Sequence, residues 1–188
     1  MHVDPNHLEK KYQLTGEKLQ ITMSFYRPLS LKANEFFLKE GEVSKQLAVV
    51  TKGLLRSYIY DDNANEITQQ FYQEGSLLIS FESFNNQIPA KENIKAITDT
   101  NLMVISYDDQ NKLYELLPVW RQICKDFSDV NNHEMIERTK QFQIMSATER
   151  YRNFCKENPQ ILQQATLGHI ASYIGVDIAT LSRIRKKK

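Results

Sequence analysis

Cysteines and long apolar runs are scarce in this 188-residue sequence, and their scarcity excludes several classes of protein. Its two cysteines, Cys124 and Cys155, cannot form a metal cluster by themselves, and nothing in the sequence indicates an oxidising compartment. No stretch approaches the roughly 18 consecutive apolar residues that a membrane-spanning helix needs. The first residues, MHVDPNHLEKKYQL, lack the uninterrupted apolar core of a signal peptide. We therefore expect a cytoplasmic protein that does not bind membranes.

Net charge is almost absent as well, but the charged residues are unevenly distributed. The whole chain has 24 Lys and Arg residues against 23 Asp and Glu. Residues 147–188 hold eight basic and three acidic residues, whereas residues 1–146 hold sixteen and twenty. This asymmetry is typical of a nucleic-acid-binding segment joined to a different domain.

From about Lys32 to Tyr107, short runs rich in β-branched and aromatic residues alternate with turn residues. The runs are FFL at 36–38, LAVV at 47–50, LLRSYIY at 54–60, ITQQFY at 67–72, SLLISF at 76–81, NIKAI at 93–97 and LMVISY at 102–107. Runs this short and this regularly spaced predict an antiparallel sandwich or roll. The residues before them, up to about residue 30, read as short helices.

Histidine is absent from the strand-rich region, which argues against an enzyme of the cupin type. Such an enzyme holds its metal ion with several histidines on a β-roll. The four histidines all lie elsewhere: His2, His7, His133 and His169. Glu82 and Glu92 could be imagined as a catalytic carboxylate pair, but no second feature supports that role. We predict that the protein is not an enzyme and holds no metal ion.

Helical patterns return at Ser106, which with Asp109 makes a plausible capping pair. Pro118 suits the first turn of a longer helix that runs to about Phe142. One apolar stripe follows this helix at spacings of three and four residues: Leu116, Trp120, Ile123, Phe127 and Val130. The stripe fits either a helix that packs on its own domain's sheet or a dimer seam, and periodicity alone favours neither.

A second capping box, Ser146 with Glu149, opens another helix that must end near Asn158, because Pro159 follows. We place a domain boundary at Ser146.

The segment GHIASYIGVDIATLSRIRKKK, residues 168–188, has the pattern of two short helices joined by a tight turn. Asp177 is a good N-cap for the second helix. Seven positions match a helix-turn-helix, namely Ile170, Ala171, Ile174, Gly175, Val176, Leu181 and Ile184. The second helix would then lie in the major groove of DNA, with its amino-terminal half toward the base edges.

The outward side chains of that second helix are suited to different parts of DNA. Arg183 can donate two parallel hydrogen bonds to guanine, and Ile178 and Ala179 can contact thymine methyl groups. The predicted DNA-contacting residues of this helix are Asp177, Ile178, Ala179, Thr180, Ser182 and Arg183, followed by Arg185, Lys186 and Lys187 for phosphates.

The segment HIASYIGVDIATLSRIRKK closely resembles the carboxyl-terminal helix-turn-helix of Crp/Fnr-type transcription regulators. F-L-K-E-G-E at 37–42, V-V-T-K-G-L-L-R-S-Y at 49–58 and F-Y-Q-E-G-S-L at 71–77 resemble their cyclic-nucleotide-binding-type β-roll. The resemblance implies an α+β chain with a sensor domain at 1–117, a dimerisation helix at 118–145 and a winged-helix-like helix-turn-helix domain at 146–188. It also implies that Thr166 and His169 lie near phosphate. The implied dimer interface comprises Trp120, Ile123, Phe127 and Val130.

The sequence departs from the family pattern in the effector region. Relatives that bind cyclic nucleotides have a Gly-Glu segment and an arginine for the phosphate, whereas this chain reads LISFESF at 78–84 and has no arginine between Arg56 and Arg121. Lys91 or Lys95 could replace that arginine only as point charges. The resemblance places an effector pocket at Ser80, Glu82, Ser83 and Lys91. The missing arginine argues against cyclic AMP as the effector.

The absence of cysteine before Cys124 also argues against the iron–sulfur cluster of the oxygen-sensing branch. We therefore predict a homodimeric regulator of the Crp/Fnr type that binds a roughly palindromic site on double-stranded DNA. An unidentified small-molecule effector and RNA polymerase are further candidate partners. The alternative is a small-ligand-binding or protein-interaction module whose helix-turn-helix does not bind DNA, and a gel-shift with random-sequence DNA distinguishes the two.

Overall fold

The computed structural model describes residues 5–186, so the predicted phosphate contact Lys187 lies outside the described residues. Three helices and eight strands form the first part of the described chain. In order they are α1 (Pro5–Tyr12), α2 (Gly16–Ser24), β1 (Arg27–Leu31), β2 (Phe36–Leu38), β3 (Gln46–Lys52), β4 (Leu55–Tyr60), β5 (Glu66–Tyr72), β6 (Leu77–Leu78), α3 (Phe81–Asn86), β7 (Asn93–Ala96) and β8 (Thr100–Ser106). Six helices follow: α4 (Tyr107–Leu116), α5 (Val119–Ile144), α6 (Ala147–Glu157), α7 (Ile161–Gln164), α8 (Leu167–Ile174) and α9 (Ile178–Lys186).

The strands form two four-stranded antiparallel sheets, with the orders β1-β8-β3-β6 and β2-β7-β4-β5. Apolar side chains from both sheets meet in a core that includes Val50, Leu55, Leu78, Ile94 and Leu102. The roll that the alternating runs predict is therefore confirmed.

Two parts of the roll differ from the prediction. β1, which pairs with β8, falls partly in the segment that reads as helical. The predicted strand at 76–81 is wrong beyond Leu78, because the chain turns into α3 instead. The helical turn buries Phe84 and lets Ser83 Oγ accept the Ser44 N–H (2.9 Å) while it donates to the Ile88 carbonyl (2.6 Å). These contacts fold the 81–88 segment back against the roll.

The predicted helix starts are confirmed by their caps. Ser106 Oγ accepts the backbone N–H of Asp109 at 3.1 Å, at the start of α4. Ser146 and Glu149 form the reciprocal capping box at the start of α6. The long helix predicted after Pro118 is α5, and it ends two residues beyond Phe142.

The apolar stripe of α5 faces the protein's own β-roll over its first half. Trp120 and Ile123 are almost completely buried, and Phe127 packs beside them, in a core that also holds Leu47 and Ile105. The predicted placement of Trp120 and Ile123 in a dimer interface is therefore wrong: their surfaces are already covered within one chain. Val130 is exposed and stays a predicted interface residue.

A third core joins the roll to the carboxyl-terminal helices. Leu54 and Phe71 from the roll pack with Phe154 of α6, Ile174 of α8 and Leu181 of α9. The last four helices are thus held against the edge of the β2-β7-β4-β5 sheet.

Candidate nucleic-acid interface and effector cavity

Helices α8 and α9 with their connecting turn, called the α8–α9 unit below, are shaped by three local signals. Thr166 Oγ1 accepts the backbone N–H of His169 (3.2 Å) and caps the start of α8. Gly175 ends α8 with φ +78°, and the N–H of Val176 donates to the Ala171 carbonyl (3.0 Å), as in a Schellman motif. Asp177 then starts α9.

Asp177 caps α9 with both carboxylate oxygens. Oδ1 accepts the backbone N–H of Thr180 (2.7 Å) and Oδ2 accepts the Thr180 hydroxyl (2.8 Å). These hydrogen bonds hold the pKa of Asp177 below its usual range, so the carboxylate remains charged at the positive end of the helix dipole. The N-cap predicted from the sequence is confirmed. Asp177 therefore fixes the start of α9, and its predicted contact with DNA stays a prediction.

Gly175 is required at the turn for a second reason besides its φ value. A Cβ placed there would lie 2.5 Å from Cε1 of Phe142, near the end of α5. The Phe142 ring is itself flanked by the guanidinium groups of Arg138 and Arg150, whose central carbons lie 5.5 and 4.7 Å from its centroid. The turn of the α8–α9 unit therefore sits directly on the end of the long helix.

The inner face of the α8–α9 unit is apolar, as predicted. Ile170, Ala171, Ile174 and Leu181 are buried, and Val176 and Ile184 are partly buried against them. This packing fixes which side of α9 points away from the protein.

The outer face of α9 presents most of the residues predicted to read DNA. Ile178 is 55% exposed, and Ala179 and Arg183 are exposed next to it. Arg183 Nη2 donates to Thr180 Oγ1 at 2.9 Å, which lays the guanidinium along the helix surface. Arg185 and Lys186 are exposed at the end of the helix, whereas Ser182 is partly buried.

His169 has a different environment from the one implied by the family resemblance. Its ring lies between α8 and the roll, and among the described residues its buried Nδ1 has no hydrogen-bond partner. Burial, followed by the positive charges of Arg56 and Lys95, lowers the pKa of His169 to about 4. The ring is therefore neutral near pH 7. In this arrangement it faces the roll, and its contact with a DNA phosphate stays a prediction.

Polar contacts attach α8 to strand β5. The backbone N–H of Thr68 donates to Ser172 Oγ (3.2 Å), and the two hydroxyl oxygens are 2.9 Å apart. Thr68 Oγ1 also accepts a hydrogen bond from the buried Arg56 (2.9 Å), which forms an ion pair with Glu66. Next to these contacts, the rings of Phe71, Phe154 and Tyr173 pack against one another with centroids 5.2–6.0 Å apart.

The four residues of the predicted effector pocket line one cavity of about 310 Å³ between the roll and α5. Three of them already have partners. Ser83 is bonded as described above, and the Lys91 ammonium lies 2.9 Å from both carboxylate oxygens of Glu82. Ser80 is buried, and its side chain makes no capping hydrogen bond to α3. The structure thus brings the predicted residues together but leaves mainly Ser80 available for a ligand.

Comparisons with known proteins identify the architecture. Residues 28–116 match the family model of the cyclic nucleotide-binding domain. A structure described as a Crp/Fnr-family transcriptional regulator from Eubacterium rectale has a TM-score of 0.74 and 18% identity, covering 97% of this chain and 87% of that one. FixK2 from Bradyrhizobium japonicum has a TM-score of 0.72 and 18% identity, with coverages of 86% and 83%. The c-di-GMP-responsive global regulator CLP from Xanthomonas campestris has a TM-score of 0.72 and 13% identity, with coverages of 90% and 89%.

The chain has the Crp/Fnr fold.

This fold confirms the family resemblance seen in the sequence. Of the similar structures, the Eubacterium rectale protein is described as a transcriptional regulator and CLP as a global regulator. No curated protein sequence matches the chain. Within residues 5–186, no helix is both long enough and apolar enough to cross a membrane.

Two residues of α5 that the sequence analysis missed complete the cavity of the Crp/Fnr fold. Asn131 is only 7% exposed, and its amide nitrogen contacts the weak acceptor Met135 Sδ (3.6 Å). Arg138, two turns further along α5, also lines the cavity. In the sequence, Asn131 directly follows Val130 and lies four residues after Phe127, so a polar side chain was to be expected beside the apolar stripe. Since a buried polar group needs a hydrogen-bond partner, this position could have been predicted to make a polar contact. No spacing rule indicated Arg138.

The second half of α5 exposes apolar side chains on the Crp/Fnr fold. Val130, Ile136 and Ile144 are all exposed, Ile144 to 76%. Val130 and Ile144 are two heptads apart, which places them on the same side of a helix that enters a coiled coil. The surface formed by these three residues is called the outer seam below.

Proposed function

We propose that the protein is a homodimeric, sequence-specific DNA-binding transcription regulator, with the α8–α9 unit as its helix-turn-helix. One observation carries the proposal: α9 is capped at its start, anchored from inside by Leu181, and exposes Ile178, Ala179 and Arg183 on its free side. A helix held in this way can enter the major groove as a rigid element. The similar structures, which are transcription regulators, support the same reading.

The chemistry of the exposed face assigns different roles to its residues. Arg183 would donate two hydrogen bonds to a guanine, and Ile178 and Ala179 would contact thymine methyl groups. Arg185 and Lys186 follow on the last turn, where they would contact phosphates and supply affinity without sequence preference. The excess of basic over acidic residues in 147–188 favours an anionic partner.

The proposed dimer uses the outer seam rather than Trp120 and Ile123. Val130, Ile136 and Ile144 of one chain would pack against the same residues of a second copy, because three large apolar side chains on one exposed helix are costly in water. Two parallel α5 helices would then place the two α9 helices on neighbouring half-sites of a roughly palindromic operator.

The proposed effector site is the cavity between the roll and α5. Ser80 makes no capping hydrogen bond, and the buried amide of Asn131 contacts only a weak acceptor. The Lys91 charge is neutralised by Glu82, and the Arg138 guanidinium is engaged by backbone carbonyls. This arrangement fits a small polar molecule and supports the expectation that the effector is not cyclic AMP.

The experiment that tests the proposal is selection of bound sites from a random pool of double-stranded DNA. We expect a palindromic consensus. The Arg183→Ala variant should lose about 1–3 kcal/mol per half-site on the consensus duplex and relax the preference at one base pair. Lys186→Ala is the matched control, because loss of an exposed phosphate contact should weaken binding to consensus and scrambled duplexes equally and reduce the salt slope by about one per half-site.

Two results would reject parts of this proposal. A pool that yields no enriched sequence would favour the alternative, a ligand-binding or interaction module that does not bind DNA. An equal loss on both duplexes for Arg183→Ala would make Arg183 a phosphate contact.

A further inference from the structure

Arg138 of α5 touches the roll, α8 and the wall of the effector cavity at the same time. Its Nη1 donates to the carbonyl oxygen of Gln69 on β5. Its Nη2 donates to the carbonyl oxygen of Tyr173 on α8 at 3.0 Å and lies 3.5 Å from the carbonyl oxygen of Thr68. One side chain thus connects the backbones of a strand and a helix that are about a hundred residues apart in sequence.

The guanidinium of Arg138 is also held between aromatic rings. Its central carbon lies 4.1 Å from the centroid of Tyr173 and 5.5 Å from that of Phe142. Burial lowers the pKa of Arg138, but a guanidinium remains charged at any physiological pH. The planar fork is what allows one group to stack on Tyr173 and to donate in two directions. A lysine at this position would keep the charge and lose both properties.

The position of Arg138 links this contact to the effector cavity. Asn131 and Arg138 are separated by seven residues, so they lie on the same face of α5, and both line the cavity. An occupant that hydrogen-bonds to Asn131 would therefore lie against the helix face that carries Arg138. Any displacement of the guanidinium would act directly on the Tyr173 carbonyl, next to the end of α8.

We propose that Arg138 is the positioning residue that fixes the α8–α9 unit on the β-roll. The DNA consequence of this role rests on the proposed function. The two recognition helices of a dimer must meet two half-sites about one DNA turn apart. If the α8–α9 unit is mobile, it must be ordered when the second half-site binds, and this loss of orientational entropy weakens binding to the palindrome. Binding to a single half-site does not require that fixed spacing.

The first test needs no DNA and uses hydrogen exchange on the full-length protein. In Arg138→Lys, the amide of Thr68, which donates to Ser172, and the amides of α8 should exchange about tenfold faster than in the wild type. Arg138→Met, which keeps the apolar stem but lacks the fork, should give the same pattern. Arg121→Lys is the matched control, because Arg121 is exposed on the same helix and stacks on Tyr114 (4.6 Å) away from α8. It should leave these amides unchanged.

The second test compares the selected palindromic duplex with a duplex that carries one half-site. Arg138→Lys should weaken binding to the palindrome about tenfold and binding to the half-site less than twofold. Unchanged exchange at Thr68 and α8 would overturn the positioning role. An equal loss on both duplexes would also overturn it, since that is the result of a general loss of folding. If the wild-type protein binds neither duplex, the proposed function fails, and the exchange experiment alone decides the role of Arg138.

Discussion

Replacing Gly175 by alanine should destabilise the protein by about 2–5 kcal/mol, and the cost has two separable sources. The first is the backbone: Gly175 has φ +78°, a left-handed conformation that costs an L-residue about 1–2 kcal/mol. The second is steric, since the added methyl group would lie 2.5 Å from Cε1 of Phe142. Relieving such a contact by moving neighbours typically costs about 1–3 kcal/mol.

The Phe142 ring cannot move away freely, because Arg138 and Arg150 flank it. Arg150 is itself tied down, with Nε donating to the Ile174 carbonyl (2.9 Å) and Nη1 to the Met145 carbonyl (2.8 Å). A shift of the ring would therefore disturb the contacts of both arginines. We expect the steric contact to lower the free energy of unfolding of Gly175→Ala.

Gly41 provides the matched control for the backbone part. It has φ +86°, and no atom lies within 4 Å of a Cβ built there. Gly41→Ala should therefore cost only about 1–2 kcal/mol. In a Phe142→Leu background the ring edge is absent, so Gly175→Ala should lower the free energy of unfolding by no more than Gly41→Ala does.

The measurement is urea unfolding followed by circular dichroism at the helical band, with fluorescence of the chain's one tryptophan, Trp120, as a probe of the roll and α5. If Gly175→Ala is no more destabilising than Gly41→Ala, the ring moves without cost and the argument for a fixed turn is wrong.

Two further predictions concern the dimer and the pH dependence of stability. Val130→Asp and Ile144→Asp should each place a charge in the outer seam and yield monomers that remain folded, as judged by light scattering and circular dichroism; dimers of unchanged stability would show that the seam is not the interface. The pKa of His169 is about 4 in the folded state and about 6.5 in the unfolded state. Between pH 7 and pH 5 the imidazole is therefore protonated in the unfolded state only, which favours unfolding as the pH falls. The free energy of unfolding should drop over that range by about 1 kcal/mol more in the wild type than in His169→Gln, allowing for solvent screening of a partly exposed ring; parallel pH profiles for the two proteins would contradict this account.

The sequence predicted those features whose signals are local. The caps at Ser106, Ser146 and Asp177, the turn at Gly175 and the antiparallel roll depend on neighbouring residues and on alternation along single strands, and the structure confirms each of them. The four residues assigned to an effector pocket do line one cavity, because the family pattern carried their positions, and their role toward an effector stays a prediction.

The features that the sequence did not predict depend on contacts between distant segments. The α5 stripe could not show which of its residues were already covered by the roll, and so Trp120 and Ile123 were assigned to the wrong surface. The burial of His169 and the nearby charges of Arg56 and Lys95, which lower its pKa, had no signal in the sequence, and its contact with a DNA phosphate stays a prediction. Arg138 gave no signal, because its hydrogen-bond partners are backbone carbonyls, which every type of residue carries.

The core that Leu54 and Phe71 share with Phe154, Ile174 and Leu181 limits how this protein can be engineered. A chimera that exchanges residues 146–188 for the matching part of a protein with the same fold would place foreign side chains against the edge of β5. Under the proposed function, a new DNA specificity should therefore be transplanted by changing only the outer face of α9. Exchanging the whole segment should require redesign of the strand residues that it covers.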